Sequence, residues 1–200
     1  MLFILDRAGE PAADNAPENT HRLMRGQARL QALDFWMRNP DYLADELLDI
    51  YDADRSQNWA LTTAQGIFAD REPAIRRLPM AKWRFGAYER LDDTLAIMTS
   101  RGLVIHQPEA GPVSVREHLY WLTDDGHQAA EDLLKCDAVF AWYAQRADLV
   151  GRLADGRGGT ALKDRQYEQA EYRQTNPNAL IASIEPRVRQ RLVELSGVTT

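Results

Sequence analysis

Apolar residues recur at steps of three and four along most of the chain, the spacing that lines one face of a helix. The chain opens on the apolar run Met1-Leu2-Phe3-Ile4-Leu5, which Asp6 ends. Residues 6–19 hold two prolines and no large apolar side chain, and read as a flexible lead-in. Leu23, Leu30, Leu33 and Met37 then predict a helix over 20–38. Asn39-Pro40 restarts the chain, because proline at a first helical position forfeits no hydrogen bond. Tyr42, Leu43, Leu47, Ile50 and Tyr51 predict a second helix to about residue 52. Its opposite face carries Asp41, Asp45, Asp49 and Asp52, which reads as a solvated acidic surface. Trp59, Leu61, Ala64, Ile67 and Phe68 predict a third helix opening near Ser56. Glu72-Pro73 opens a short fourth one that Pro79 closes.

Between residues 86 and 135 the pattern changes period. Tyr88, Leu91, Leu95 and Met98 predict a helix over 87–101, stopped by Gly102, a residue that accepts positive φ. Leu103-Val104-Ile105 is short and apolar, as a strand would be. A loop with Pro108, Gly111 and Pro112 follows, and 118–123 alternates as a second strand. A long helix is expected over 125–154 with two apolar stripes. Ala130, Leu133, Phe140, Tyr143, Ala147 and Val150 suffice to pack on the domain. The second stripe, Leu134, Ala138, Trp142, Leu149 and Leu153, calls for a further partner, and a second copy of the chain is the expected one. Gly156, Gly158 and Gly159 mark a linker; the run lacks the Gly-Lys-Ser/Thr of a phosphate loop. Leu180, Ile181 and Ile184, then Val188, Leu192, Val193 and Leu195, place short elements near the C-terminal end. The expected organisation is a lead-in (1–19), a main domain (20–155) and a helical C-terminal extension (156–200).

Arg101-Gly102-Leu103-Val104 after a helix, and Tyr120-Trp121-Leu122-Thr123-Asp124-Asp125-Gly126 before one, resemble the second half of a winged helix. The wording is similar to the MarR-like and PadR-like regulators. The resemblance implies a mainly α fold: a winged helix-turn-helix with a two-stranded β-wing, extra N-terminal helices, a long helix and a helical extension. It implies either of two functions. One is a dimeric transcription regulator reading double-stranded DNA in a sequence-specific way. The other is a non-catalytic winged-helix subunit that binds protein within a larger, for example chromosome-organising, assembly.

Charge bears on that choice. The chain carries a formal net charge of −6, yet residues 71–101 have a basic excess. Arg71, Arg76, Arg77, Lys82, Arg84 and Arg90 there, with Arg116 in the wing, are the candidate DNA contacts, since cations neutralise phosphates and set register. Asp92 and Asp93 in the same helix, and Glu109 and Glu117 in the wing, would repel a phosphate backbone. The chain shows no catalytic constellation, and no cofactor is expected. His106 and His118 would face each other across the hairpin without further ligands, and His127 is expected on the surface, so no metal is expected either. The single cysteine, Cys136, cannot close an internal disulfide, which points to the cytoplasm. No apolar run reaches the length of a membrane span.

Overall fold

The computed structural model of the chain describes residues 1–83, 86–88, 91–111 and 115–197. It is mainly helical, with one four-stranded antiparallel sheet and one short hairpin. The first segment is not a loose lead-in. Leu2–Ala8 forms α1, which buries Phe3, Ile4, Leu5 and Ala8, and Glu10–Pro11 forms a short strand, β1. Thr20–Arg25 is a strand, β2, where a helix was expected. Leu23 satisfies a helical stripe on paper, but Gly26 sits at φ 79 and separates β2 from α2 (Gln27–Arg38). In the left-handed region a glycine carries no Cβ penalty, so the turn falls there.

Helices α3 (Pro40–Ala53), α4 (Asn58–Ala69) and α5 (Glu72–Ile75) follow the predicted pattern. A hairpin of β3 (Ala81–Trp83) and β4 (Gly86–Tyr88) occupies the start of the helix expected over 87–101. Among the described residues there, Asp92–Ser100 is helical, as α6. Next come β5 (Val104–Ala110) and β6 (Val115–Thr123), which pair antiparallel from Val104 opposite Leu122 to Ala110 opposite Val115. The two strands expected for a wing are thus present, within a wider sheet. The strand order is β1-β2-β6-β5, with β6 paired on both sides.

The long helix is two helices, α7 (Asp124–Cys136) and α8 (Ala138–Ala154). Asp137 breaks it: its backbone is extended, and its carboxylate accepts the Val139 N–H at 2.8 Å, capping α8. At the start of α7, Thr123 caps by accepting the Gly126 N–H at 3.0 Å. Gly126 itself is required by a close approach. A Cβ there would lie 2.3 Å from the Leu103 carbonyl oxygen and 2.6 Å from a Leu122 methyl. The chain ends in α9 (Gly159–Glu168), α10 (Ala170–Gln174) and α11 (Glu185–Ser196).

The core centres on α2 and α3, where Leu30, Leu33, Phe35, Trp36, Tyr42, Leu43, Leu47 and Leu48 are fully buried. Leu91, Leu95, Met98, Val104, Leu122 and Ala130 join the same core, while Ile105 is exposed. The acidic face of α3 is solvated only toward its C-terminal end, where Asp52 is exposed and Asp49 half-buried. Asp41 and Asp45 are buried, and the C-terminal segment lies on them. The Ser183 hydroxyl and the Ile184 N–H donate to Asp41 Oδ2 at 2.7 and 2.8 Å. Arg187 and Arg191 both donate to Asp45, and Arg191 also meets Asp49 at 2.6 Å. Glu46 pairs with Arg165 of α9. A buried carboxylate is costly unless paired and hydrogen-bonded, so this face recruits the segment that covers it. Residues 156–196 are therefore part of the main fold, packed on α2, α3 and α4.

Two outcomes follow from this clamp. Asp41→Ala should cost about 3 kcal/mol in chemical denaturation, since it removes charge-assisted bonds and orphans the buried Ile184 N–H. Hydrogen exchange should then rise at residues 181–191 before it rises in α2. Glu46 is the pH-sensitive member. Burial pushes its carboxyl from the usual 4.5 up to about 7 against the pull of Arg165. The folded state then binds the proton that the unfolded chain has already lost. The stabilisation is complete below the unfolded value and is lost as pH rises through about 7. Glu46→Gln should flatten the pH dependence of stability across that window by up to about 3 kcal/mol, measured as the difference from the parent.

Candidate functional site

The basic residues expected to meet DNA go to different places. Lys82 is turned inward. Its ammonium donates to the Arg173 carbonyl at 2.7 Å and lies 5.0 and 5.5 Å from the Tyr167 and Tyr172 rings, and burial lowers its pKa. The hairpin places it under the C-terminal segment: the Lys82 N–H donates to the Ala179 carbonyl and its carbonyl accepts the Asn178 N–H. Arg77 is committed to the same segment, donating to the Ile181 carbonyl at 2.5 Å with Asp41 3.9 Å away. Arg76 stacks on Trp142 at 4.1 Å. Arg71 and Arg116 are exposed. Arg84 and Arg90 lie outside the described residues. Neither Lys82 nor Arg77 is a free phosphate contact, because each satisfies a carbonyl that α3's partner segment exposes.

Helix α6 rests on the core through Leu95 and Met98. Its outward positions are Asp92, Asp93, Thr94, Ala96, Ile97, Thr99 and Ser100. Among the described residues no ion pair reaches Asp92 or Asp93. Between α6 and the sheet runs a groove of about 520 Å³ lined by Asp92, Thr99, Ser100, His106, His118 and Tyr120. His106 Nε2 and His118 Nδ1 are 2.8 Å apart, and the Tyr120 ring stacks 5.0 Å from His106. Burial lowers the His106 pKa, with His118 adding to it and Asp92 opposing. Burial and then Asp92 push the Tyr120 phenol up to about 12.

A second surface lies where α5 meets α8. Glu72 is buried and receives both Arg146 at 2.5 Å and the Trp142 indole N–H at 3.1 Å. The Arg146 guanidinium also lies 5.1 Å from the Trp142 ring. Trp142, expected at a dimer contact, is thus held in place by its own chain and is half-buried. The rest of that expected stripe is split as well. Leu153 is buried, Leu149 lines a cavity of about 330 Å³ beside Glu72 and Thr63, Ala138 is exposed, and Leu134 belongs to α7. The break at Asp137 destroys the continuous stripe that a single helix would have had. What stays uncovered is Ile75 (64%), Leu78 (55%), Val139 (42%) and Tyr143 (40%). Ile75, Leu78 and Tyr143 rim a depression of about 260 Å³, with Met37 and Trp142 in its wall and Arg38 and Arg76 at its edge. Val139 lies one helical turn before Tyr143 on α8, so the two side chains share a face of that helix.

A third constellation joins three elements. Asp6 of α1, His21 of β2 and His127 of α7 place a ligand-type atom each within 4.8 Å of the others. His127 Nδ1 is 2.7 Å from Asp6 Oδ1, and the two imidazoles stack with centroids 3.8 Å apart. Asp124 lies 4.0 Å from His21. Burial lowers the His21 pKa, and His127 and Arg22 add to it against Asp6 and Asp124. Sequence reasoning missed this group. No motif spacing links the three positions, and His127 was expected on the surface; only the pairing of β2 with β6 brings His21 beside α7. Cys136 is exposed and unpaired. No helix among the described residues is long and apolar enough to cross a membrane. Comparison with protein-family models, with curated proteins and with solved structures finds no match for this chain.

Proposed function

We propose that the protein is a non-catalytic interaction subunit, built on a winged-helix arrangement, that docks another protein at the junction of α5 and α8. In this reading α6 stands where a recognition helix would, β5 and β6 form the wing, and β2 completes the sheet beside β6. The observation that carries the docking role is the exposure of Ile75, Leu78 and Tyr143 around one depression. Scattered apolar residues on a surface need no explanation, but a group rimmed by charge marks a site of association. The fixed Trp142, stacked on Arg76 and hydrogen-bonded to Glu72, supplies a rigid aromatic wall of the kind that anchors interfaces.

The second reading is a dimeric DNA-binding regulator. It draws on the same helix–strand–strand–helix order and on the exposed Arg71 and Arg116. Against it stand the inward Lys82 and the outward Asp92 and Asp93, since a helix entering a phosphate-lined groove needs the opposite balance.

Two measurements separate the readings. A photo-crosslinking residue in place of Leu78 should capture a second polypeptide in cells making the protein. Ile75→Glu in the same chain should abolish capture while changing stability by no more than about 0.5 kcal/mol, because Ile75 is exposed. Absence of capture would sink the docking reading. A gel-shift titration on random duplex at low salt should show no complex. A salt-sensitive shift that Arg116→Ala weakens on every sequence alike would move the protein to the DNA reading.

A further inference from the structure

We propose that Asp6, His21 and His127 hold one divalent transition-metal ion of the zinc class, which ties α1 to the sheet and to α7. Two imidazole nitrogens and one carboxylate oxygen are the donor set that suits zinc and its borderline neighbours, whereas magnesium and calcium prefer oxygen alone.

The site has the marks of construction. Asp6 is only 2% exposed, yet its Oδ2 has no hydrogen-bond partner. Arg7 Nε lies 3.0 Å from that oxygen without the alignment of a hydrogen bond, while Arg7 Nη2 donates to Glu131 at 2.6 Å. The Asp6 Oδ2 oxygen is thus met by charge but by no hydrogen bond, which leaves its lone pairs open to a further ligand-type contact beside the two histidines. Asp6 and Arg7 come from α1, His21 from β2, and Asp124 and His127 from α7, so the cluster is assembled only by the fold. Asp124 lies 4.0 Å from His21 at the edge of the group, outside the three atoms that converge.

The present rings are 9° from parallel, so their nitrogens do not yet point to one centre. Tetrahedral zinc with bonds near 2.0–2.1 Å needs ligand atoms about 3.4 Å apart. Both imidazoles are a third exposed. Rotation about the Cβ–Cγ bond of histidine has broad minima, so the proposed site requires one ring to turn from its present orientation on binding.

The test is a calorimetric titration of the full chain, free of any polyhistidine tag, with zinc chloride at pH 7.5. One ion per chain is expected, with a rise in melting temperature. His21→Ala and His127→Ala should each weaken binding by at least about tenfold. The double variant His106→Ala, His118→Ala should bind as the parent does. Cobalt(II) added to the unmodified chain should give the visible absorption of a low-coordinate site, which requires no variant to fold. Failure of the parent to bind zinc would overturn the proposal. Parental affinity in both single variants would do the same, as would loss of binding only in the His106/His118 variant or magnesium binding as tight as zinc.

Discussion

Two carboxylates on one helix must be covered, and much of the C-terminal third of the chain is arranged to cover them. Asp41 and Asp45 sit one turn apart on α3, so they face the same way. Left bare in the interior they would unfold the protein or bind protons. Ser183, Ile184, Arg187 and Arg191 supply five donors across the two. Holding that segment in place has further effects. The Tyr42 hydroxyl donates to the Ala182 carbonyl, and Ile181 pairs with Met80. The strap so formed runs alongside β3, and Arg77 and Lys82 turn toward its carbonyl groups. Basic residues that look available in the sequence are thereby withdrawn from the surface.

A second buried charge does comparable work on the other side of the core. Glu72 at the start of α5 meets Arg146 from α8, and both are screened from water. Truncating either partner would leave an uncompensated charge. Their pairing sets the angle at which α5 meets α8 and locks Trp142 into the wall between them. The apolar side chains that this geometry cannot cover, Ile75, Leu78 and Tyr143, remain together at the rim. The interaction role proposed for the protein is thus linked to how its interior charges are neutralised.

The sheet contributes differently. β6 is paired on both edges, so its alternation fixes Tyr120 and Leu122 inward and aligns His118 with Pro108 across the hairpin. Pairing β2 with β6 also carries His21 to the start of α7, beside His127, and α1 brings Asp6 beneath them. The chemistry at the strand ends arises only from the order in which the strands lie.

The sequence by itself determined the helices near 40–52 and 56–68 and the strands at 103–105 and 118–123; it did not show that the first strand runs on through Pro108 to Ala110, where pairing with β6 overrides a local loop signal. Each rests on interactions within a few residues: an apolar repeat, a proline at a first helical position, a glycine past a helix end. It also placed Leu95, Met98 and Leu122 in the core, because their spacing matches the element they sit in. Thr20–Arg25 was misread since Leu23 fits both periods, and only β6 as a neighbour chooses the strand. The break at Asp137 was misread because apolar residues continue at helical spacing on both sides of it, while the extended Asp137 backbone and its bond to Val139 leave no trace in that spacing. For the site, Trp142 and Arg76 were singled out, but the partners that define their roles lie 66 and 70 residues away in Arg76 and Glu72. The aspartates of α3 show the limit most clearly. A charged face reads as solvent-exposed until arginines some 140 residues further along fold onto it. Whether a charge is buried is a property of its partner, and the partner is chosen by tertiary structure.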